Sequence, residues 1–447
     1  MLPVLSALVI AQSPPPAQPE VVVQPQEVRP LTGSLDDVLV FNSNSPEVVQ
    51  TEGILLSTFP GTGKTTPEAH LNQRLGGRFD VFTHHIAKAT GPDDLKTLYM
   101  GVILNNPSKQ PVTVDVLHAA SYLSQPDAPF IKLPPVVENP DGKVYAGPGD
   151  RVTDAVLRGQ RQKEWPAQLT IPAGESRMLL NIPIPVRELE PPINGRSTLA
   201  RLRSSGEVYA ASLAMFARTD AQGAERAPTL EEWETLLKTG KLSGPRDKTP
   251  TPTGARPIIY SRVAGVARGS VWRSQLSDAD GFTLKIPDAG KAFSYVLSSV
   301  DNGTFGTGQI QSAPMIVRYP DTAYAAHGNY GIQYSLSLPL YNPTNQPKTV
   351  TVALQTAVKN DDKTGNLQFY DQPPERVFFR GTVRVRYQDD QKSPRTRYVH
   401  LVQFRGQRGE PLTTMTLAPQ SSRLVQVDFL YPPDATPPQV LTVETKE

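Results

Sequence analysis

Residues 105–116 read Asn-Asn-Pro-Ser-Lys-Gln-Pro-Val-Thr-Val-Asp-Val, and residues 341–352 read Tyr-Asn-Pro-Thr-Asn-Gln-Pro-Lys-Thr-Val-Thr-Val. Asn106-Pro107 recurs as Asn342-Pro343, and Gln110-Pro111 recurs as Gln346-Pro347, both at a spacing of 236 positions. Each copy is a polar Asn-Pro corner followed by alternating apolar and polar residues. Proline fixes its own φ and asparagine bonds its own backbone, so each copy reads as strand, turn, strand. Three further matches keep the same order: Gly53–Pro60 with Pro314–Pro320, Ala69–Asn72 with Ala326–Asn329, and Leu169–Leu180 with Met415–Gln426. The period is far too long for a solenoid. The expectation is an all-β chain: two related antiparallel β-sandwich domains, residues 31–220 and 258–447, bridged by a short amphipathic helix.

The rest of the chain agrees with strands. Leu98–Leu104, Val112–Leu117, Tyr334–Leu338 and Thr349–Val352 alternate, and Asn, Pro, Gly and Asp punctuate them. Proline is 45 of 447 residues, too dense for a helical bundle. One segment is helical. Thr229 and Glu232 form a capping box; Leu230, Trp233, Leu236 and Leu237 make one stripe; Gly240 suits the end. Residues 221–257 are therefore expected to hold this helix and a linker, with the helix docked between the two domains.

Before residue 31, Leu2–Ile10 is an apolar run ending at a small-residue site, Ala11, which reads as a signal peptide over residues 1–11. It lacks a basic start, so translation is expected to begin further upstream. Residues 12–30 form a Pro-rich spacer. The expected location is periplasmic or extracellular. No apolar stretch of ~18 residues predicts a transmembrane helix. Cysteine is absent, which removes disulfides, thiol nucleophiles and thiolate metal sites. A net charge of +2 gives no case for nucleic acid.

Candidate chemistry is sparse. Gly61-Thr-Gly-Lys-Thr65 invites a phosphate-loop reading, but Thr58 stands where the first glycine belongs, and the matching Tyr319–Ala325 lacks Gly-Lys-Thr. No nucleotide is expected despite Gly61–Lys64. His84 and His85 are adjacent on a strand and face opposite ways, so they cannot grip one metal together. His70 and His327 recur in the repeat and read as structural hydrogen-bonding groups. Asp278–Gly281 resembles only the start of a calcium loop. No residue reads as catalytic, cofactor-binding or metal-ligating. Charge offers one candidate: Arg376–Arg408 holds nine Lys and Arg against Asp389 and Asp390, a local net of +7. Arg384 with Arg386 and Arg395 with Arg397 fall on two strand-like arms, a candidate anion-binding patch for polysaccharide or lipid phosphate.

Long blocks carry a resemblance. Phe41–Pro60, Gly77–Ala89, Pro228–Asp247, Gly306–Gly331 and Val425–Val443 resemble a cyanobacterial family of exported proteins, domain of unknown function 3370. The resemblance implies an envelope protein and attaches no activity. The expected function is non-enzymatic binding or a structural role towards a polymer or another envelope protein. The alternative is a secreted carbohydrate-active enzyme with its carboxylates between the domains.

Overall fold

The alternating stretches become strands where expected, because one side of each finds a core and the other finds solvent or a second layer. The computed structural model describes residues 19–91, 94–252, 254–279, 281–362 and 365–447. The leader, the start of the Pro-rich spacer, Asp93 and Asp280 lie outside the described residues.

In chain order, the elements used below begin with β1 (Glu27–Arg29), β2 (Ser34–Leu35), β3 (Leu39–Ser43), β4 (Gly53–Ser57), β5 (Leu75–Lys88), β6 (Leu98–Asn105), β7 (Val112–Leu123) and β8 (Val136–Glu138). Helix α1 (Pro148–Leu157) follows, then β9 (Gln168–Ile171), β10 (Ser176–Ile184), β11 (Ile193–Phe216) and helix α2 (Leu230–Thr239). The second half has β12 (Ala264–Arg268), β13 (Val271–Gln275), β14 (Ala292–Leu297), β15 (Ala313–Arg318), β16 (Gln333–Asn342) and β17 (Lys348–Gln355). It ends with β18 (Val377–Gln388), β19 (Pro394–Phe404), β20 (Pro411–Leu417), β21 (Ser421–Leu430) and β22 (Gln439–Thr445).

Three sheets dominate this all-β fold. The first runs β9-β7-β11-β5-β3-β12-β15; the second runs β8-β19-β18-β21-β16-β13-β2; the third runs β1-β14-β22-β17-β20. Strand β11 passes a bulge after Ser204 and continues into a further layer, pairing there with β4 and β6, while β10 pairs β6. Leu56, Val102, Leu104 and Leu180 of that layer share a core with Phe79, Val114, Leu202 and Val266 of the first sheet. The second and third sheets likewise share Leu338, Val385 and Val427 with Tyr295, Val352 and Val443.

The expected boundary at 221–257 does not separate these sheets. From beyond it, β12 pairs with β3 (Val266 opposite Phe41), and β15 pairs with β12. From before it, β1 pairs β14, β2 pairs β13, and β8 pairs β19. Tyr319 pins the exchange: its buried hydroxyl accepts from the Ser57 amide at 3.0 Å and donates to the Ala69 carbonyl at 2.8 Å.

The bridging helix also needs correction. Helix α2 forms as expected, with both halves of its capping box made. Its Trp233 and Leu237, however, bury against Ile54, Ile103 and Leu213, all of the first half. Trp233 lies over Gly101, where an added Cβ would fall 2.8 Å from the ring. The helix between the halves is α1, which contacts β7 and β11 on one side and β18 and β21 on the other. Its Asp150 meets His400 of β19 at 2.7 Å, both fully buried. Leu157, Val156 and Val152 join Phe82 and Leu199 to the second half's core.

Candidate functional site

The two Asn-Pro corners are the same structure atom for atom. Asn106 Nδ2 donates to the carbonyls of Gln110 (2.7 Å), Ile171 (3.0 Å) and Pro172 (3.1 Å); Asn342 Nδ2 donates to those of Gln346 (2.8 Å), Leu417 (3.1 Å) and Ala418 (3.2 Å). Asn106 Oδ1 accepts from Ser108 N at 2.9 Å, and Asn342 Oδ1 accepts from Thr344 N at 3.0 Å. Neighbouring registers match too: Leu104 opposes Arg177 and Val112 opposes Ile171, while Leu340 opposes Arg423 and Lys348 opposes Leu417. These corners are architectural. The Asn106 and Asn342 side chains are spent on holding the corner to the neighbouring strand.

The arginine candidates do not converge. In the β18–β19 hairpin, Arg384 opposes Tyr398 and Arg386 opposes Thr396, whereas Arg395 opposes Tyr387 and Arg397 opposes Val385. Opposed residues share a face. Arg384 and Arg386 therefore lie on one face, and Arg395 and Arg397 on the other. Each also has an acidic partner. Arg384 and Arg386 reach buried Asp428 at 3.2 and 3.1 Å, Arg395 reaches Asp389 at 2.7 Å, and Arg397 pairs with Glu138. Guanidiniums split across two faces and already paired form no common anion cradle.

The histidines are distributed as single groups. His84 Nδ1 lies 2.7 Å from Ser197 Oγ, while His85 turns away to Ser43 Oγ at 3.0 Å and the Pro46 carbonyl at 2.8 Å. His70 bonds Ser57 Oγ at 2.8 Å. His327 differs from its counterpart: its ring packs 4.6 Å from Tyr260, and its Nδ1 is buried with no partner among the described residues. Burial lowers both His70 and His327 to about 4. Among the described residues no three His, Asp or Glu side chains gather as a metal site. Asp278 closes a turn, its carbonyl accepting from Gly281 N at 2.9 Å. No described helix is long and apolar enough to cross a membrane.

Between the halves there is a cleft that sequence reasoning did not assemble. An outer chamber of about 480 Å³ is walled by Phe130, Pro191, Ile193 and Pro433, with Glu47, His84 and Asp434 among its polar groups. Glu47, His84 and Pro433 also line an inner chamber of about 230 Å³, together with Asn42, Asn44, Arg262, His327 and Tyr330. The site exists because of the strand exchange. β3 carries Asn42, the residues just past it add Asn44 and Glu47, and β12 beside it brings Arg262 from the chain entering that strand.

The cleft's charges are paired. Glu47 lies 3.6 Å from His84 Nε2 and 2.5 Å from Arg262, and hydrogen bonding with His84 is the largest cause holding it down at about 2. Arg262 also bonds Asp247 at 2.7 Å. Asp434 receives Arg380 at 2.9 Å, yet burial of its carboxyl raises it to about 6. Although 29% of that side chain is exposed, Oδ1 itself is enclosed and has no partner among the described residues, so the upward direction follows. Asn42 and Asn44 stand in Phe41-Asn-Ser-Asn44, part of the block Phe41–Pro60 and without alternation, and Asp434 is an acid among prolines; nothing in the sequence pointed one towards the other.

An all-β protein of packed sheets with strands exchanged between its halves, and a polar-floored cleft where they meet, is the class that this fold and site define. The chain belongs to the family described as "Protein of unknown function (DUF3370)", whose model matches residues 26–445. No curated protein matches it. Among solved structures, Lac15 from a marine microbial metagenome is similar at 9% identity and a TM-score of 0.11, covering 83% of this chain. This chain spans about half, 52%, of that one, and a likeness so slight places neither fold nor function.

Proposed function

We propose that the chain is two diverged copies of one β-sandwich unit fused into an exported, non-enzymatic cell-envelope protein, and that the cleft at their junction binds envelope polymer. One observation carries the reading: the outer chamber, about 480 Å³, has the size and the apolar wall with few polar groups expected of a ligand site. The Leu2–Ile10 run and the Ala11 site support export. The pairing of the charges supports binding over turnover. Glu47 is engaged by His84 and Arg262; Asp434 Oδ2 is engaged by Arg380 and its Oδ1 is enclosed, so neither carboxylate is open to a substrate.

A secreted carbohydrate-active enzyme is the second reading. It is favoured by Glu47 being pushed down and Asp434 up on the wall of one cleft, a division that acid–base pairs use. Incubation of the purified protein with host envelope polysaccharide separates the two. Retention on the polymer without new reducing ends supports binding. Release of reducing ends supports the enzyme. Neither result ends both readings. Export is tested by fractionation and N-terminal sequencing; a cytoplasmic protein with Met1 intact removes that part.

A further inference from the structure

We infer that the inner chamber of the junction cleft is a subsite for a neutral, hydroxyl-rich sugar residue, with the Asn42 and Asn44 side-chain amides hydrogen-bonding its hydroxyls. The inference rests on the proposal that the cleft is the binding surface and adds the ligand's chemical class.

The first argument is unmet hydrogen bonding. Asn42 is 3% exposed and Asn44 8% exposed, and both Oδ1 atoms are enclosed without a partner among the described residues. Buried acceptors are nearly always paired, and an unpaired one costs stability. Two on the same cavity wall, with the unpartnered Nδ1 of His327 on that wall as well, make an arrangement that a ligand completes. Asn42 and Asn44 are two positions apart on an extended chain, so both project to one side.

The second argument is charge. Glu47 is matched by His84 and Arg262, and Arg262 also by Asp247. What remains is the neutral hydrogen-bonding capacity of the Asn42 and Asn44 amides. With these charges already matched, an anion arriving here would find no unpaired counter-charge. A cation would find the Glu47 and Asp247 carboxylates already engaged by Arg262. A hydroxyl donates without charge, and His327, held neutral by burial, agrees with such an environment.

The third argument is the outer wall. Phe130 is 60% exposed but braced: an added Cβ on Gly147 would fall 2.3 Å from its ring, and the Arg380 guanidinium lies 5.5 Å from the ring centre. With Ile193, 37% exposed, it gives a fixed apolar surface beside the polar chamber. A sugar ring has both surfaces, C–H bonds on its faces and O–H groups at its edge, so adjoining residues of an oligosaccharide match the two chambers.

The test is isothermal titration calorimetry of the full chain with maltohexaose, cellohexaose, xylohexaose and mannohexaose, and with polygalacturonate as the acidic arm. The wild type is expected to bind at least one neutral hexasaccharide. Asn42→Ala/Asn44→Ala should weaken that binding at least tenfold while keeping or raising Tm, because truncation removes the unpaired amides. A merely structural pair would lower Tm instead. Phe130→Ala should weaken binding about fivefold with Tm unchanged. Neutral binding that survives both variants overturns the subsite. Binding of polygalacturonate alone, lost in Phe130→Ala, overturns the neutral subsite and leaves the cleft reading standing. No binding by any arm ends both.

Discussion

The Asn106 and Asn342 corners are alike to a few tenths of an ångström in their hydrogen bonds, yet the strands around them have parted company. In the first half, β11 runs 24 residues and serves both layers, lying beside β7 and then beside β6. In the second half, β22 lies beside β17 in the matching place but ends at Thr445, and the position next to β16 is filled by β13 running parallel. A corner in which one side chain ties its own turn to the neighbouring strand tolerates almost no change, since that side chain satisfies three carbonyls at once. A sheet edge tolerates replacement of one strand by another, provided that the backbone groups find partners. On the proposed duplication, the halves differ at their edges, where they exchange strands, and the cleft lies at that seam.

The sharpest way to break this comparison is to separate the halves. Residues 26–257 alone would lack β12 and β15, leaving β3 with an open apolar edge and Ser57 and Ala69 without the Tyr319 hydroxyl. Residues 258–447 alone would lack α1, β1, β2 and β8. Neither fragment should give a folded monomer by size-exclusion chromatography and near-ultraviolet circular dichroism. Two soluble, cooperatively melting fragments would show the strand exchange to be dispensable.

The corners themselves come next. Asn106→Ala and Asn342→Ala each leave buried carbonyls without a donor, and each should cost about 3 kcal/mol in denaturant melts. The two losses should agree within about 1 kcal/mol and add in the double variant, since the sites share no partner. Unequal losses would mean that the surroundings, and not the corner, set its worth.

What was legible in the sequence follows the same division. The corners, the strand-like alternation and the capped helix α2 are local patterns, and all were readable. Helix α1 was not: Val152, Ala155 and Val156 make a short apolar stripe, but Gly147 opens the helix without a capping side chain, and Asp150 and Asp154 look like a solvent face although both are buried. The faces of the arginine arms were half readable. Spacing by two correctly puts Arg384 with Arg386, but the register between the arms is set by the Asp389–Ser393 turn, which pairs Gln388 with Pro394. The cleft was hidden because pairing β3 to β12 is a contact across more than two hundred residues that no spacing announces.

Across the seam, the two carboxyls should respond to pH in opposite senses. Glu47 is depressed to about 2, so its contribution is present above about pH 4.5 and is lost as pH falls towards 2. His84, Arg262 and the buried chain around it are the groups facing it. Asp434 is raised to about 6, so the folded state binds the proton more tightly; stability from it is full below about pH 4 and is lost as pH rises through 6. Arg380, Asp150 and His84 face this group. Each effect is on the order of 2 kcal/mol. Thermal melts from pH 3 to 7.5 should show Asp434→Asn gaining on the wild type between pH 4 and 6, and Glu47→Gln losing its deficit below pH 4. Parallel curves for variant and wild type would remove the opposed pair.

The smallest effect is expected where the sequence looks most like chemistry. The first copy carries Gly61-Thr-Gly-Lys-Thr65 between its strand and its Ala-His-x-Asn, and the second copy spans the matching interval with Asp321-Thr-Ala-Tyr324. A phosphate loop needs a helix start behind it to present amides, and here only three residues of 3₁₀-helix, Pro67–Ala69, follow. The loop is instead tied to its own fold: Thr65 N donates to the Lys238 carbonyl at 2.9 Å, and Lys64 N donates to the Gly61 carbonyl at 3.2 Å. The Lys64 ammonium lies 5.3 Å from the Phe59 ring centre, an attraction of about 0.5 kcal/mol at a half-exposed site. Burial, followed by repulsion from Lys238, lowers its pKa, so removing the charge relieves one cost as it forfeits that attraction. Lys64→Ala should therefore move stability by less than about 0.5 kcal/mol and leave calorimetric titration with magnesium ATP flat, as it is expected to be for the wild type. Micromolar ATP binding that the change abolishes would give the first copy a function that the second never had.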